Sequence, residues 1–241
     1  MLLLVDMAFH TLARSRYSPS LLARVAAGWR RIADDERRGV ANAAHVAADL
    51  AALGAPPALL AAAARVIADE VHHLDVCAAV LDELHPGPRR SAMPSATARR
   101  LDLVPRAPVG EAALARTLVA DYALGKPVSA AAFAAARALS REPLFAWAYT
   151  ELLRDEARHA TFGAKTAAWV IRRWSARERR ALWAGALTVS AAVATRPNDE
   201  EAEALGLLPA AADQTLPRWI LPHLAPLGIH PVPANETSLL H

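Results

Sequence analysis

Two long Ala-rich stretches that follow one another constrain the fold of this chain more than any other feature. They span residues 18–53 and 57–84, and in the first the apolar residues Leu22, Val25, Trp29 and Ile32 recur every three or four positions. That spacing is typical of an amphipathic helix. Between the stretches, Gly54 suits a helix end, and the prolines at 56 and 57 suit the start of a second helix. The sequence therefore predicts a helical hairpin with a tight turn.

The remaining sequence also favours helices. Alanine makes up about a quarter of the 241 residues and aromatic residues only 5%, which is the composition of a helical rather than a sheet protein. We predict a third helix over 109–139, a fourth over 143–174, a fifth opened by the capping box at 175–178 and a short capped helix over 198–206. Pro127 lacks an N–H and should interrupt the third helix. The proline-rich residues 86–108 read as a long surface connection that lets the third helix lie parallel to the second.

The charge distribution and the cysteine content limit the binding partners and the cellular compartment that we expect for the protein. All but two of the 27 basic residues are arginine, but they are spread in pairs without an aromatic-rich basic motif, so we do not expect nucleic-acid binding. The single cysteine, Cys77, excludes an internal disulfide framework and is compatible with a reducing cytoplasm, where we expect the protein to reside. No stretch predicts a membrane span, and the first residues lack the basic start of a secretory signal.

The motif Glu-x-x-His occurs twice, as Glu70-Val71-His72-His73 and as Glu156-Ala157-Arg158-His159. Residues i and i+3 lie on the same face of a helix, so each motif directs a carboxylate and an imidazole towards one point. Each motif is therefore half of a possible metal site. One such motif occurs readily by chance, whereas two of them on separate predicted helices are more informative.

An acidic residue precedes each motif by nearly the same distance. Glu36 lies 34 residues before Glu70, and Asp121 lies 35 residues before Glu156, with a predicted turn about midway in both cases. In an antiparallel hairpin, residues equidistant from the turn lie at the same level. Four carboxylates and two imidazoles should then meet inside the protein, an arrangement that only cations make tolerable. This mixture of oxygen and nitrogen donors favours iron or manganese over tetrahedral zinc.

This order of Glu, Glu-x-x-His, acid and Glu-x-x-His resembles that of the ferritin-like diiron-carboxylate superfamily, of the rubrerythrin and diiron-oxygenase type found in compact bacterial proteins. The resemblance covers about residues 20–174. It implies an all-α fold, an antiparallel four-helix bundle with a long crossover between helices two and three. The helices predicted after residue 174 are then additional C-terminal helices. It also implies two Fe ions, with Mn or a mixed Mn/Fe pair as alternatives.

The resemblance also assigns roles to the residues of both motifs. Glu36 is implied as a terminal ligand, Glu70 and Glu156 as bridging and catalytic carboxylates, and His73 and His159 as one imidazole for each ion. Asp121 stands where the family usually has Glu. The run Asp155-Glu156-Ala157-Arg158-His159 matches the family form Asp-Glu-x-Arg-His, in which Asp155 and Arg158 orient the ligands, and Asp69 takes the same place before Glu70.

A few neighbouring residues bear on these assignments. In a subset of the family the third helix carries Glu-Gly-Cys-x-Gly-Glu, and aligning that motif here places Lys126 at the second acid, where it would bring a cation to the site. Tyr149 lies two turns before Glu156 and is a candidate for a substrate channel or a redox relay, with aromatic packing as the alternative. His72 is expected on the solvent side or next to the ligand residues, and Glu151 is expected on the solvent side.

These observations give a domain plan and several possible functions. We expect an N-terminal extension over 1–17, a ferritin-like bundle over 18–175 and a helical C-terminal extension packed on it over 176–241. The first hypothesis is an oxidase or oxygenase that uses O2 on a small organic substrate and needs an external electron donor. An iron-handling or peroxide-detoxifying ferritin or rubrerythrin-like protein, a ferritin-like tRNA hydroxylase and a metal-free scaffold are the alternatives, and the oligomeric state is open.

Overall fold

A computed structural model describes residues 11–85, 107–179, 181–182 and 199–208, and all regular structure in these ranges is helical. The all-α prediction is thus confirmed for the described part of the chain. None of the helices in these ranges has the length and apolar character that a membrane crossing requires. The α-helices with both ends described are α1 (Pro19–Ala52), α2 (Pro57–Leu84), α3 (Glu111–Thr117), α4 (Lys126–Leu139), α5 (Pro143–Val170) and α6 (Glu200–Ala204). Residues 176–179 and 181–182 are helical as well.

The predicted hairpin is present as α1 and α2. The Ser18 hydroxyl accepts a hydrogen bond from the N–H of Leu21 at 3.2 Å, which caps the first turn of α1, and Pro19 occupies its first position. Gly54 has a φ of 67°, a left-handed conformation that an L side chain rarely adopts, and so reverses the chain. The two helices begin and end within two residues of the sequence prediction.

The predicted third helix is interrupted by a π-helix over Leu118–Gly125, between α3 and α4. In a π-helix each N–H bonds to the carbonyl five residues earlier, so each hydrogen-bonded loop spans one residue more than in an α-helix and the turn is wider. A Cβ atom added to Gly125 would lie 3.0 Å from the Ala120 carbonyl oxygen, which shows how closely the widened turn approaches it. Pro127 lies two residues after the π-helix, in the first turn of α4, and it has no N–H to donate to the preceding turn.

The described residues form two compact units. The first contains 11–85, 107–108, 130–156 and 199–208, and the second contains 109–129, 157–179 and 181–182. The two units divide the predicted bundle over 18–175, so that domain plan stays a prediction, as does the four-helix ferritin-like arrangement. Of the predicted long connection and of the last 66-residue extension, the structure describes only 107–108, 176–179, 181–182 and 199–208.

The core of the first unit is closed by a short C-terminal segment. Trp29 lies at ring-centroid distances of 5.1 Å from Tyr149 and 6.0 Å from Phe145, and all three side chains are fully buried. The Tyr149 hydroxyl donates a 2.7 Å hydrogen bond to the carbonyl of Gly206, which follows α6 with a φ of 79°. Asp199 caps α6 by accepting from the N–H of Ala202. The short capped helix predicted over 198–206 is therefore confirmed in its described part.

In the second unit, α5 packs closely on the π-helix. A Cβ at Gly163 would lie 2.8 Å from the Ala123 nitrogen and 3.0 Å from the Leu118 carbonyl oxygen, so only glycine permits this approach. The predicted capping box is also present, because the Ser175 N–H and hydroxyl both donate to Glu178, at 2.6 and 2.7 Å.

Candidate metal centre

Three of the predicted ligands meet inside the α1–α2 hairpin. Glu36 lies on α1, and Glu70 and His73 lie on α2. One potential ligand atom from each residue falls within 4.8 Å of the others. The His73 Nδ1 atom lies 3.2 Å from Glu36 Oε2 and 4.0 Å from Glu70 Oε2. The hairpin creates this meeting, because Glu36 and Glu70 are equally far in sequence from Leu53 at the turn.

Burial makes this cluster unusual. Glu36 is 5% exposed, while Glu70 and His73 are fully buried. Burying a carboxylate costs several kcal/mol of solvation, and a second carboxylate close by adds repulsion. A divalent cation offsets both costs, and oxygen and imidazole donors together suit iron, manganese and related ions. The chemistry of the donor set thus fits a metal, and the cluster could hold an ion.

Asp155 lies on the opposite side of the His73 ring. Its Oδ2 atom is 3.8 Å from His73 Nε2, and its side chain is buried. Metal-bound histidines commonly direct their second ring nitrogen to a carboxylate, which fixes the tautomer and the ring plane. The predicted orienting role of Asp155 therefore has a partner in the structure: the imidazole of the other Glu-x-x-His motif.

The second motif lies on α5, where Glu156 and His159 are buried at one-turn spacing. Asp121, by contrast, is exposed in the π-helix, and Lys126 at the start of α4 is partly buried. Burial of all six predicted ligands was expected, and this expectation is wrong for Asp121. The prediction from the 35-residue spacing assumes the residues per turn of a continuous α-helix. A π-helix has more residues per turn, so the side chains in it point in other directions than that prediction assumed. The ligand roles of Asp121, Glu156 and His159 stay predictions.

The other candidates behave differently from one another. Asp69 is partly exposed and Arg158 is exposed, and both interact with other residues, so their orienting roles stay predictions.

Burial raises the pKa of the Tyr149 phenol well above its ordinary value. The hydroxyl bonds to a backbone carbonyl, which cannot take a proton from it. This geometry favours packing for Tyr149 over a proton-coupled redox relay.

One expected surface residue is buried. Glu151 is 8% exposed and accepts a 2.6 Å hydrogen bond from Arg154, while its other oxygen lies 3.3 Å from His72 Nε2. The solvent-side prediction is thus wrong for Glu151, whereas the side chain of His72 remains 37% exposed. The helical register of Glu151 had indicated the surface, but the His72 and Arg154 partners make its burial tolerable.

Sequence reasoning also missed Gly39, whose absent side chain leaves room for the Glu70 carboxylate. A glycine inside a strongly periodic helix was the available signal, since such a residue often has a packing reason.

Comparison of the chain with protein-family models, with curated proteins and with solved structures finds no match.

Proposed function

We propose that the protein is a non-haem dimetal-carboxylate oxidase or oxygenase, with iron as the metal, that acts with O2 on a small organic substrate. One observation carries the proposal: Glu36, Glu70 and His73 bring two carboxylates and an imidazole within 4.8 Å of one another in a buried position. A hydrophobic interior rarely collects such groups without a cation. We assign the first ion to these three residues.

Glu156 and His159 would hold the second ion, and the resemblance to the diiron-carboxylate superfamily implies that Glu70 and Glu156 would be shared by both ions. The support is the repeated Glu-x-x-His motif and the burial of its second copy on α5. Burial matters here because an exposed Glu and His at one-turn spacing would be ordinary surface residues. Of the six proposed ligands, Asp121 has the least structural support, because its side chain is exposed.

The residues of the chain have separable roles in this proposal. Glu36 and Glu70 provide charge compensation, and the buried position of His73 excludes water from its Nδ1 atom. His73 Nδ1 lies 3.2 Å from the Glu36 carboxylate, which accepts its proton in a hydrogen bond. When an ion takes the place of that proton, Asp155, 3.8 Å from Nε2, would favour a proton on Nε2. When bound, a pair of ferrous ions supplies two electrons to O2. Further electrons come from an external donor, because the sequence has no Gly-rich dinucleotide motif and only one cysteine.

The direct test is an anaerobic Fe(II) titration of protein stripped with chelator, followed by addition of O2. We expect two ions per chain by elemental analysis and rapid O2 consumption. Glu70→Gln should lose both, whereas Glu151→Gln should retain both, because Glu151 is a buried glutamate outside the cluster that pairs with Arg154. Wild-type protein that binds no iron would contradict the proposal and favour a metal-free scaffold.

The exposure of Asp121 favours a second candidate, a protein that binds or transfers a single ion without O2 chemistry. In that case only the α1–α2 cluster is occupied, because the other half lacks one of its acids. The same titration distinguishes the two. One ion per chain and no O2 consumption above that of free Fe(II) would identify metal handling, whereas two ions with fast consumption would identify the oxidase or oxygenase.

A further inference from the structure

Gly39 lies on α1, one turn after Glu36, and faces the carboxylate of Glu70. A Cβ atom built at this position would lie 2.5 Å from Glu70 Oε2 and 3.0 Å from Glu70 Cδ. Separations below 3.0 Å are essentially never seen for real Cβ atoms, so any side chain here would force the carboxylate to move. The missing side chain of Gly39 leaves a notch in the surface of α1, and the carboxylate of Glu70, a predicted ligand, occupies this notch.

The backbone of Gly39 does not itself require glycine. Among the described glycines, a left-handed φ occurs at Gly54 and Gly206, whereas Gly39 lies within the 34-residue helix α1. Alanine is intrinsically favoured over glycine in a helix interior. A glycine at this position therefore weakens the helix locally, and what it provides in return is space for Glu70.

We propose that Gly39 is a positioning residue that fixes the Glu70 carboxylate within the metal cluster; this rests on the proposed metal site. Glu70 Oε2 is the atom closest to the notch, and it is also the atom 4.0 Å from His73 Nδ1. An alanine methyl group would push this oxygen away from α1. Because α1 also carries Glu36, the same displacement changes the geometry between the two carboxylates and lowers affinity for the ion.

The test is a titration of metal-free protein with Co2+, followed by visible absorption, which reports both affinity and coordination geometry. We expect Gly39→Ala to bind Co2+ at least about tenfold more weakly, with an altered spectrum, the size of effect seen when groups that orient a ligand are changed. Gly28→Ala is the matched control. Gly28 is also a tightly packed glycine of α1, but its notch holds the Leu207 side chain rather than a cluster residue, so Co2+ affinity should be unchanged.

A second variant separates positioning from general disturbance of the helix. Asp is one methylene shorter than Glu, so Glu70→Asp should relieve the overlap created by Gly39→Ala. We therefore expect the double variant to bind Co2+ more tightly than Gly39→Ala alone, although Glu70→Asp alone weakens binding. Such non-additivity identifies a direct interaction between positions 39 and 70.

Each outcome decides the proposal. Wild-type protein that fails to bind Co2+ overturns both the metal site and the role of Gly39. Wild-type binding that Gly39→Ala leaves unchanged overturns the role of Gly39 alone. If Gly39→Ala does not fold, the double variant decides: folding and binding restored by Glu70→Asp support positioning. Failure of the double variant to improve on Gly39→Ala overturns it.

Discussion

Asp155 gives the sharpest test of how the protein would orient the proposed metal ligand His73. Its carboxylate lies 3.8 Å from His73 Nε2, while His73 Nδ1 faces Glu36. Asp155→Asn preserves the shape of the side chain but removes its negative charge. Two changes follow: the imidazole loses a partner that makes it a more basic ligand, and its ring orientation is held less firmly. We expect weaker metal binding with little effect on the fold.

The size of the effect follows from the distance. Two full charges 3.8 Å apart interact by about 4 kcal/mol at an effective dielectric constant of about 20. A metal-bound neutral imidazole carries only part of a positive charge, so about 1.4 to 2.7 kcal/mol is expected. This range equals a 10- to 100-fold loss of affinity, the usual size for such partners. At a metal concentration 100 times the wild-type dissociation constant, a tenfold loss removes about 1.3 kcal/mol of metal-dependent stabilisation.

The measurements are a Co2+ titration and thermal unfolding with and without Co2+. The lost stabilisation should reduce the metal-dependent rise in Tm by about 3 to 5 °C for a chain of this size. Glu151→Gln is the control, since Glu151 lies one turn earlier on α5 and contacts His72 and Arg154 instead. An Asp155→Asn protein whose Co2+ affinity stays within about twofold of wild type would refute the reasoning.

Three further predictions concern the scaffold. Gly206→Ala should lower the free energy of unfolding, measured in urea, by about 2 to 5 kcal/mol, because the left-handed backbone and overlap with the Phe145 ring both oppose a side chain there. Gly54→Ala should lower it by only about 1 to 2 kcal/mol, because Gly54 is also left-handed but has open space around it. Equal losses in the two variants would contradict this prediction. Ser18→Ala should cost about 1 kcal/mol by removing the cap of α1, measured in the same way. Because burial raises the pKa of Tyr149 above its ordinary 10.0, the unfolded chain loses that proton first, and stability should fall as the pH rises past about 10. Tyr149→Phe should make this alkaline decline shallower by up to about 1.4 kcal/mol per pH unit, and an unchanged slope would be the contrary result.

Local rules were sufficient to predict the hairpin. Ser18, Gly54 and Pro57 mark its ends through capping, backbone conformation and a missing N–H, all of which act within a few residues. The π-helix at Leu118–Gly125 was predicted only as an interruption near Pro127. The π-helix also lies against Gly163, about 40 residues away in sequence, and such a distant contact is not contained in the local pattern.

The distinction between local pattern and distant packing also applies to the candidate metal site. Glu36, Glu70 and His73 were predictable because they lie on consecutive helices with one short turn, so their relative height follows from counting residues. Asp121 was placed by the same count, which fails once the helix changes its number of residues per turn. Gly39 was missed because its importance lies in which side chain fills the space beside it, a property of the packed hairpin.

The location of the cluster within one hairpin also has a consequence for how the metal and the fold depend on each other. All three residues belong to α1 and α2, which are joined by a turn of a few residues, so little chain entropy is lost in bringing them together. The cost of the site is therefore mainly electrostatic, and it opposes the folding of the same two helices, α1 and α2, whose buried residues include Leu50 and Val66. A bound cation removes that cost, which couples metal binding directly to the stability of the hairpin. The position of Glu70 against Gly39 on the facing helix makes this coupling sensitive to the spacing between α1 and α2.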